Sequence, residues 1–451
     1  MILRRILIAN RGEIAVRILR TCRQLGIEGV LAASDADRDS VPARLADSVV
    51  RLGPVGSYLD VAAVVAAALA AGADAVHPGY GFLSENPALA RACEEAGIVF
   101  IGPTVGQLEA VGDKLTARKL ATAAGLPVAE GGEVAGAPEA ASLAAAIGFP
   151  VLVKAVGGGG GRGLRHVEAA DELAGTVEFA MAEAAAAFGD PRVYLERYLP
   201  SGRHVEVQLL GDGERVIHLG DRDCSVQRRY QKLIEEAPAP LLDDDLRTAI
   251  RHAAVDFGLH LGYRGVGTVE FLVDPTSRAF YFLEMNARIQ VEHPVTEAIT
   301  GIDLVAEQIW VAEGNPLRQS QDDVALLGHA IECRINAEDW GDGFRPSPGT
   351  VTSAAFAVGP GIRVDTHVQP GSFVPPWYDS LLAKLIVTGP DRAAALARLR
   401  AALARCEISG LATTLGLHEK LTASPEFEAG GVDTGFLERW LSPLAAGGGH
   451  G

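Results

Sequence analysis

The sequence predicts an α/β protein with a doubly wound parallel sheet at its N-terminus and an α+β domain at its C-terminus. Residues 2–9, ILRRILIA, have the pattern of a buried strand, and a turn, a helical pattern and a second strand at 29–33 follow them. Strand patterns at 267–273 and 280–286 flank a short turn, which is typical of an antiparallel hairpin. Short strand patterns over 350–390 precede a helical Ala/Leu/Arg pattern over 391–407. Because 451 residues exceed one hydrophobic core, we expect about three domains.

Composition and charge exclude several classes of protein. The chain is 48% apolar with a formal net charge of −17, whereas a nucleic-acid-binding protein needs a basic face to meet phosphates. The longest apolar run, residues 61–71, is about half the length of a membrane-spanning helix, and Arg4 and Arg5 interrupt the apolar start, unlike a signal peptide. The five cysteines are far apart without a CxxC pair, which predicts reduced thiols and no zinc site. We expect a soluble cytoplasmic protein that binds neither nucleic acid nor membranes.

The elements of the N-terminal domain can be predicted in order. The first helix carries its apolar residues on one stripe and ends at Gly26. An Ala-rich helix over about 60–71 precedes a strand near 75–77. Asn86 and Pro87 begin a further helix, because proline at the first helical position needs no N–H, and a strand at 98–101 closes the domain.

The loop 78–82, PGYGF, follows a strand of this sheet. Open α/β sheets bind ligands at the carboxyl ends of their strands, so the loop is either a ligand loop or a tight turn that needs two glycines, and spacing favours neither. The turn after the first strand contains only Gly12 of the three glycines that a dinucleotide site requires. We therefore do not predict an NAD site.

Two lysines precede a glycine run in the next segment. Lys114 lies early in an amphipathic helix, and residues 131–138 have the composition of an internal linker. Residues 149–154, FPVLVK, predict a buried strand whose terminal Lys154 needs an anionic partner. Because successive glycine N–H groups can surround phosphates, we favour a mobile flap over a polyphosphate at 157–163 rather than a flexible linker.

The following strands predict a metal site. Residues 204–208 alternate, with His204, Glu206 and Gln208 on the polar face, and they form a hairpin with the next strand. The hairpin over 267–286 can place Glu270 beside Glu284. Two adjacent carboxylates repel each other unless a hard cation lies between them, so we expect magnesium carrying nucleotide phosphates there.

The stretch YFLEMNARIQVEHP, 281–294, alternates from Glu284 to Glu292 and predicts an extended strand with one polar face. A half-solvated edge strand shows the same alternation, but such a strand rarely follows an aromatic-apolar run. Eight steps of about 3.3 Å span roughly 26 Å, so either the chain bends or the two ends contact different ligands. We expect a metal near Glu284 and Asn286, and a small anion near Arg288 and Glu292.

Towards the C-terminus, residues 329–336, HAIECRIN, predict a strand on which Arg334 shares a face with Glu332 and Asn336. We expect disorder in the Gly-rich tail at 445–451.

Six motifs carry a family resemblance. They are HPGYGFLSEN, KAVGGGGGRG, HVEVQ, RDCSVQRRYQK, EMNARIQVEHPVTE and HAIECRINAED, and in this order they resemble the biotin carboxylase family. The similarity covers about Ile2 to Leu415. It implies an ATP-grasp fold with an N-terminal domain over 1–112, an ATP-grasp domain over 113–328 with a mobile lid at about 130–200, a C-terminal domain over 329–445 and a disordered tail over 446–451.

The resemblance implies a reaction in two parts. ATP would phosphorylate bicarbonate to carboxyphosphate, and the carboxyl group would pass to a ureido nitrogen of biotin on a biotin carboxyl carrier protein. The implied cofactors are ATP and Mg²⁺ (or Mn²⁺), with carrier-bound biotin as substrate. The implied partners are the carrier, carboxyltransferase subunits and a second copy in a homodimer. The implied pathway step is the first half-reaction of an acetyl-CoA or acyl-CoA carboxylase in fatty-acid synthesis, with a pyruvate or propionyl-CoA carboxylase as the alternative.

The resemblance also implies roles for individual residues. The implied ATP-binding residues are Lys114, Lys154, Gly158, Gly159, Gly160, Gly161, Gly163, Glu196, Leu199, His204 and Gln227. The implied metal ligands are Glu270, Glu284 and Asn286. Bicarbonate would be held by Arg288, Gln290 and the Val291 backbone, with Glu292 as general base. Lys232 would lie along the nucleotide phosphates, and Tyr80 and Arg334 would contact biotin.

The chain departs from the family pattern in two places and lacks one element. Tyr230 stands where the family often has His, and Trp377 where it often has Tyr. The family carries biotin on a lysine in a Met-Lys-Met setting, and the methionines here are at positions 1, 181 and 285 only. We therefore expect a separate carrier protein or a longer parent polypeptide.

Three alternatives are less favoured. Another ATP-grasp ligase that makes an acyl phosphate would lack the combination of Arg288, Glu292 and Arg334, which suits bicarbonate and biotin. A non-catalytic nucleotide sensor would tolerate loss of Glu284 or Glu292, and both are present. A dehydrogenase would need the missing glycines.

Overall fold

The structure is a computed structural model that describes residues 1–157 and 163–447. Gly158, Gly159, Gly160 and Gly161 of the predicted ATP-binding set, and residues 448–451 of the predicted tail, lie outside the described residues. In the described ranges, no helix is both long and apolar enough to cross a membrane. The five cysteines are free thiols.

The N-terminal elements form a parallel sheet with the strand order β3 (Ser48–Gly53), β2 (Glu28–Ser34), β1 (Arg5–Ile8), β4 (Ala75–His77), β5 (Val99–Phe100), as predicted for a doubly wound domain. The side chains of Asp60, Asn86 and Asp113 cap the N-termini of the helices that follow them. The first strand is shorter than the predicted 2–9, because it begins at Arg5 and ends at Ile8. In chain order the elements are β1 (Arg5–Ile8), α1 (Gly12–Leu25), β2 (Glu28–Ser34), α2 (Val41–Leu45), β3 (Ser48–Gly53), α3 (Val61–Ala71), β4 (Ala75–His77), α4 (Pro87–Glu95), β5 (Val99–Phe100), α5 (Val105–Gly112) and α6 (Lys114–Ala123).

The predicted lid region forms a separate antiparallel sheet in the order β6 (Gly131–Val134), β9 (Val193–Arg197), β7 (Val151–Ala155), β8 (Leu164–Val167), with its own apolar core under two helices. The prediction of a linker at 131–138 is wrong, because Gly131–Val134 pair with β9 and a helix begins at Ala137. Movement of this unit stays a prediction. Its elements are β6 (Gly131–Val134), α7 (Ala137–Ile147), β7 (Val151–Ala155), β8 (Leu164–Val167), α8 (Ala170–Phe188) and β9 (Val193–Arg197).

The remaining elements include the strands of one large sheet and the helices and short strands that accompany it. They are β10 (Arg203–Asp212), β11 (Val216–Arg228), β12 (Gln231–Ala237), α9 (Asp244–His260), β13 (Arg264–Asp274), β14 (Ala279–Asn286), α10 (His293–Thr300), α11 (Leu304–Ala312), β15 (His329–Asn336), β16 (Glu338–Asp339), β17 (Arg345–Pro346), β18 (Gly349–Thr350), β19 (Ser353–Ala355), β20 (Ile362–Thr366), β21 (Phe373–Val374), β22 (Leu381–Gly389), α12 (Arg392–Leu403), β23 (Glu407–Ser409), α13 (Leu415–Thr422), α14 (Pro425–Ala429) and α15 (Phe436–Gly447). Helix α15 extends to Gly447, and the predicted disorder of the tail stays a prediction.

The large sheet has the order β14-β13-β10-β11-β12-β15-β22-β20. It crosses the domain boundary predicted at residue 328, because β12 pairs with β15 along four residues from Ile234–Cys333 to Ala237–Ala330. The domain limits stay predictions, but strands from both sides of residue 328 belong to one continuous sheet. The predicted mixed α/β class is confirmed.

The extended strand predicted from Glu284 to Glu292 is wrong in its second half. Strand β14 ends at Asn286, and the chain then bends through a non-repetitive segment into a turn before α10. Met285, Ala287 and Ile289 are buried, but so are Asn286, Gln290 and Glu292, so burial does not alternate along the stretch. The bend carries Glu292 away from the line of Glu284.

Candidate active site

Polar side chains line one face of the large sheet. Antiparallel register places Glu206 opposite Glu270 and Glu270 opposite Glu284, and Gln227 lies opposite Lys232. Residues opposite each other in a ladder share a face, so the strands bring these groups together from distant parts of the chain. The predicted pairing of Glu270 and Glu284 across a hairpin is confirmed by this register.

Lys232 is the central cation of the site. Its Nζ lies 2.6 Å from Glu206, 2.9 Å from Glu270 and 2.7 Å from Glu292. Burial alone would lower the pKa of Lys232, but the surrounding acidic groups, Cys224 and the three glutamates, raise it well above its usual value. A single ammonium thus joins three carboxylates that would otherwise repel one another in a dry site.

Glu292 is fully buried and holds two cations, one on each oxygen. Its Oε1 accepts from Lys232 and its Oε2 accepts from Arg334 at 2.8 Å. Burial alone would raise the pKa of Glu292, but Lys232 and Arg334 hold it well below its usual value. The carboxylate is therefore ionised and available as a proton acceptor.

Arg334 also donates through Nε to Glu235 at 2.5 Å. Burial raises the pKa of Glu235 to about 7 against the opposing effect of Arg334. From the other side, the Arg334 carbonyl accepts from Thr414 Oγ1 at 3.1 Å and lies 2.6 Å from His418 Nε2. Arg334 is thus held both through its guanidinium and through its backbone carbonyl.

Arg288 lies in the bent segment and donates to three side chains. Its Nε is 2.9 Å from Glu85, its Nη2 is 2.9 Å from Asn286 and its Nη1 is 3.0 Å from Gln290. Gln290 in turn donates to Glu270 at 3.1 Å. These contacts link the predicted bicarbonate residues to the predicted metal residues in one hydrogen-bonded network.

The donor set at Glu270 and Glu284 fits a hard cation. Both residues offer carboxylate oxygens, which Mg²⁺ prefers, and the Glu284 side chain is 36% exposed, with the Lys114 ammonium 3.7 Å away. Glu270 is buried and accepts from Lys232 and Asn286 on the same oxygen. His204 lies 2.9 Å from the other oxygen of Glu270. Glu284 is therefore more open to an incoming ion than Glu270.

The described residues of the predicted ATP-binding set lie in or next to the four-stranded sheet and the large sheet. Lys154, buried at the end of β7, pairs with Glu196 of β9, and Arg118 lies 3.6 Å from Glu196. Burial alone would lower the pKa of Lys154, but Glu196 raises it. Leu199 is half-buried just after β9, and Gly163 has a φ of 73° at the start of β8. Burial alone would lower the pKa of His204, but the neighbouring Glu270 carboxylate raises it.

Tyr80 lies in the loop after β4, where Asn10 Nδ2 holds the loop through the Pro78 and Tyr80 carbonyls at 2.7 Å each. The Tyr80 hydroxyl donates to the buried Glu13. This loop lies between β1 and β4, where the strand order of the parallel sheet reverses. Open α/β sheets bind ligands at such a point.

Sequence reasoning missed several charged residues that contact this set. Glu85 pairs with Arg288 and Glu235 pairs with Arg334, and no local sequence pattern predicts either pair. Glu13 sits in the first turn of α1, where an acidic residue is ordinary. Lys384 did leave a signal, since it interrupts the apolar strand LLAKLIV.

The two departures from the family pattern lie at the surface. Tyr230 is at the tip of the β11–β12 hairpin with a φ of 67° and is 46% exposed. Trp377 is 59% exposed. Both positions thus differ from the central ion pairs, which are buried.

Comparison with known families places three family models along the chain. They are described as "Biotin carboxylase, N-terminal domain" over residues 2–108, "Carbamoyl-phosphate synthase L chain, ATP binding domain" over 113–320, and "Biotin carboxylase C-terminal domain" over 332–439. Together these matches follow the chain from its N-terminal sheet to α15.

Similar proteins match over almost their whole length. A biotin carboxylase of Nostoc sp. (strain PCC 7120) is 50% identical over 440 residues, covering 96% of this chain and 98% of the relative. A pyruvate carboxylase subunit of Methanothermobacter thermautotrophicus is 49% identical over 448 residues, covering 98% and 91%. Among solved structures, the biotin carboxylase domain dimer of Hydrogenobacter thermophilus 2-oxoglutarate carboxylase, in complex with MgADP, ADP and bicarbonate, superposes with a TM-score of 0.94 at 44% identity and covers 97% of this chain and 98% of that one.

Proposed function

Because the chain belongs to the biotin carboxylase family, we propose that it carboxylates biotin on a carrier protein as the first half-reaction of an acetyl-CoA carboxylase. The resemblance seen in the sequence is confirmed, and so is the predicted ATP-grasp fold. The protein is an ATP-dependent ligase with biotin carboxylase function. The carrier, the transferase and the final acceptor belong to the proposal.

The arrangement of Lys232, Glu292 and Arg334 carries the proposal. A bicarbonate oxygen attacks the γ-phosphorus of ATP, ADP leaves, and Glu292 accepts the bicarbonate proton. Bicarbonate and the transferred phosphoryl group are anions that compete with Glu292 for Lys232 and Arg334. Their binding therefore weakens the contacts that lower the pKa of Glu292 and makes it a stronger base.

Arg288 and its neighbours fit a small planar anion. Its guanidinium is already oriented by Glu85, Asn286 and Gln290, so little side-chain freedom is lost when bicarbonate binds. Gln290 and the Val291 backbone complete the proposed bicarbonate contacts. The bend after Asn286 supports this arrangement because it brings Gln290 within hydrogen-bonding distance of Glu270, so that bicarbonate would bind next to the metal.

Glu270, Glu284 and Asn286 would hold Mg²⁺ (or Mn²⁺), which supplies charge neutralisation on the ATP phosphates when bound. Lys114 and Lys154 add cationic side chains on the side of the four-stranded sheet. Glu196, Leu199, His204 and Gln227 are the further proposed nucleotide contacts. The Gly163 end of the proposed flap is anchored by a backbone hydrogen bond from Ala155 N–H to its carbonyl at 2.9 Å.

In the second step the carboxyl group passes from carboxyphosphate to the ureido nitrogen of biotin, and the departing phosphate takes up the proton that this nitrogen loses. Arg334 would stabilise the negative charge that develops on the ureido oxygen as that nitrogen loses its proton. Tyr80 would line the biotin pocket from the opposite loop. The paired contacts of Arg334 with Glu235 and Glu292 keep its guanidinium at the site before biotin arrives.

The proposed partners are a separate biotin carboxyl carrier protein, carboxyltransferase subunits and a second copy of this chain. The solved relative from Hydrogenobacter thermophilus is a dimer, which supports the last. In a second candidate function, the chain carries out the same half-reaction for a keto-acid carboxylase. The similarity to part of a pyruvate carboxylase and to a 2-oxoglutarate carboxylase domain favours it.

The test is ADP release from ATP and Mg²⁺ with bicarbonate and free biotin added separately and together. We expect ADP release that requires bicarbonate and is stimulated by biotin. Release that ignores both would contradict the proposed reaction. Transfer of ¹⁴C from bicarbonate, through purified carrier and transferase, to acetyl-CoA rather than to pyruvate or 2-oxoglutarate would decide between the two candidates.

A further inference from the structure

A fully buried lysine interrupts an apolar strand next to the active site. Strand β22 reads LLAKLIVTG, and Lys384 is its one charged residue, with 0% of its surface exposed. An ammonium group is costly to bury unless anions or carbonyl oxygens surround it. Since Leu or Ile would continue the strand without that cost, the lysine must be explained by its contacts.

Lys384 Nζ donates to the carbonyl of Val291 at 2.8 Å and lies 3.1 Å from Glu13. In the sheet, Lys384 is the register partner of Arg334 on one side and of Asp365 on the other. The lysine thus shares a face and a row with the arginine that binds Glu292. Its ammonium reaches from the large sheet to the turn before α10.

The contact with Val291 fixes the residue next to Glu292. The preceding carbonyl, that of Gln290, lies 2.7 Å from Nδ1 of the buried His293. Two consecutive carbonyls of the turn are therefore held by buried side chains from different elements. The orientation of the Glu292 carboxylate towards Lys232 and Arg334 depends on this turn.

The contact with Glu13 extends the link to the other side of the site. Glu13 is buried at the start of α1, and its carboxylate accepts a hydrogen bond from the hydroxyl of Tyr80. A continuous chain of polar contacts therefore runs from Tyr80 through Glu13 and Lys384 to the Val291 carbonyl. It connects the proposed biotin pocket with the proposed bicarbonate turn.

We propose that Lys384 is a positioning residue that holds the Val291–Glu292 turn and, through Glu13, the Tyr80 loop in the geometry needed for biotin carboxylation. The inference rests on the proposed function, because it assigns the turn to bicarbonate. A purely structural alternative is that Lys384 only neutralises the buried Glu13. That alternative makes no use of the Val291 carbonyl, and the two can be separated.

The test compares Lys384→Met with the double variant Glu13→Gln, Lys384→Met. Removing Lys384 alone leaves Glu13 buried without its cation, so Lys384→Met lowers the melting temperature, whereas the double variant removes both charges and recovers it. We expect kcat/KM for bicarbonate to fall about 10–100-fold in both variants, because a small misplacement of a catalytic group costs up to about 100-fold. The KM for ATP should stay within about twofold in the double variant, since the ammonium of Lys384 contacts Glu13 and the Val291 carbonyl rather than the described nucleotide residues.

Hydrogen exchange gives a readout that does not require activity. The peptide covering residues 287–296 should exchange faster in the double variant than in the wild type, while peptides of the four-stranded sheet stay unchanged. The same substitution at an exposed lysine, Lys420→Met, should alter neither exchange nor kinetics. If the double variant shows the bicarbonate kinetics and the hydrogen exchange of the wild type, the proposal for Lys384 is overturned. If the wild-type protein shows no bicarbonate-dependent ADP release, the proposed function is overturned instead. The exchange comparison then decides the role of Lys384 by itself.

Discussion

Lys232 and Glu292 form a buried ion pair of 2.7 Å that joins strand β12 to the turn before helix α10. Arg334 occupies the second oxygen of the same carboxylate, so Glu292 is clamped by two cations from neighbouring strands of one sheet. Breaking a buried pair by removing one partner leaves an uncompensated charge, which makes this site sensitive to single substitutions.

Replacing Glu292 by Gln should abolish bicarbonate-dependent ADP release and leave ATP affinity within about threefold of wild type. The amide keeps the size of the side chain but cannot accept the bicarbonate proton, and general-base catalysis contributes about 10²–10⁴-fold. ADP release and nucleotide binding by calorimetry check the two parts. The matched control is Glu214→Gln at an exposed turn, which should leave both unchanged. Near-native hydrolysis by Glu292→Gln would show that Glu292 is not the base.

Replacing Glu284 by Gln should raise the Mg²⁺ concentration needed for half-maximal ADP release by at least about tenfold, since even outer-shell contacts are worth about 10–100-fold in metal affinity. Glu284 is the more exposed carboxylate of the pair, and its ion pair with Lys114 is a loose one of 3.7 Å. The variant should therefore fold normally. A Mg²⁺ titration at saturating ATP measures the effect, and an unchanged midpoint would remove Glu284 from the metal site.

Replacing Lys154 by Met should raise the KM for ATP by about 10–100-fold, because a hydrogen bond to a charged group is worth about 1.5–3 kcal/mol. Lys154 is buried beside Glu196, and its ammonium lies 5.7 Å from the centre of the Tyr194 ring. The same substitution at exposed Lys119 is the control and should not change the KM. If both variants bind ATP like the wild type, Lys154 serves only to neutralise Glu196.

Replacing Glu332 by Gln should stabilise the protein more as pH rises. Burial raises the pKa of Glu332 well above its usual value of about 4.3, and neither of its oxygens has a hydrogen-bond partner among the described residues. The folded state therefore binds more protons than the unfolded state above about pH 4.3, so this group lowers stability as pH increases. The glutamine does not titrate, and that component disappears.

Melting temperatures of wild type and Glu332→Gln across pH 5 to 9 test this sign. The difference, variant minus wild type, should grow with pH. A difference that is constant or shrinks would mean that Glu332 is ionised and compensated, with Lys384 as the first candidate cation.

Local patterns predicted much of the fold because local physics determines it. The helices that follow Asp60, Asn86 and Asp113 begin where capping side chains and proline indicate. The pairing of Glu270 with Glu284 lies in a short hairpin, where the turn sets the register from Asp274–Ala279 to Phe271–Phe282 and a one-residue shift after Phe271 then brings Glu284 opposite Glu270. These relations join residues that are close in sequence.

The failures involve partners that are distant in sequence. Residues 131–134 look like a linker because their pairing strand lies about sixty residues further on, at 193–196. The stretch after Asn286 alternates like a strand but pairs with no strand of the described chain, so it bends. In the site, the pairs of Arg288 with Glu85 and of Arg334 with Glu235 span 203 and 99 residues, and no spacing rule could connect them.

The pairing of β12 with β15 also limits how the chain can be divided. A fragment severed at residue 328 would keep β12 but lose the strand that covers its open side, exposing unpaired N–H and C=O groups beside buried Ile234 and Ala237. Such an uncovered strand is a template for intermolecular pairing, so the truncated piece would aggregate even though the cut falls in a loop. Expression of the nucleotide-binding half alone would therefore require a replacement for β15.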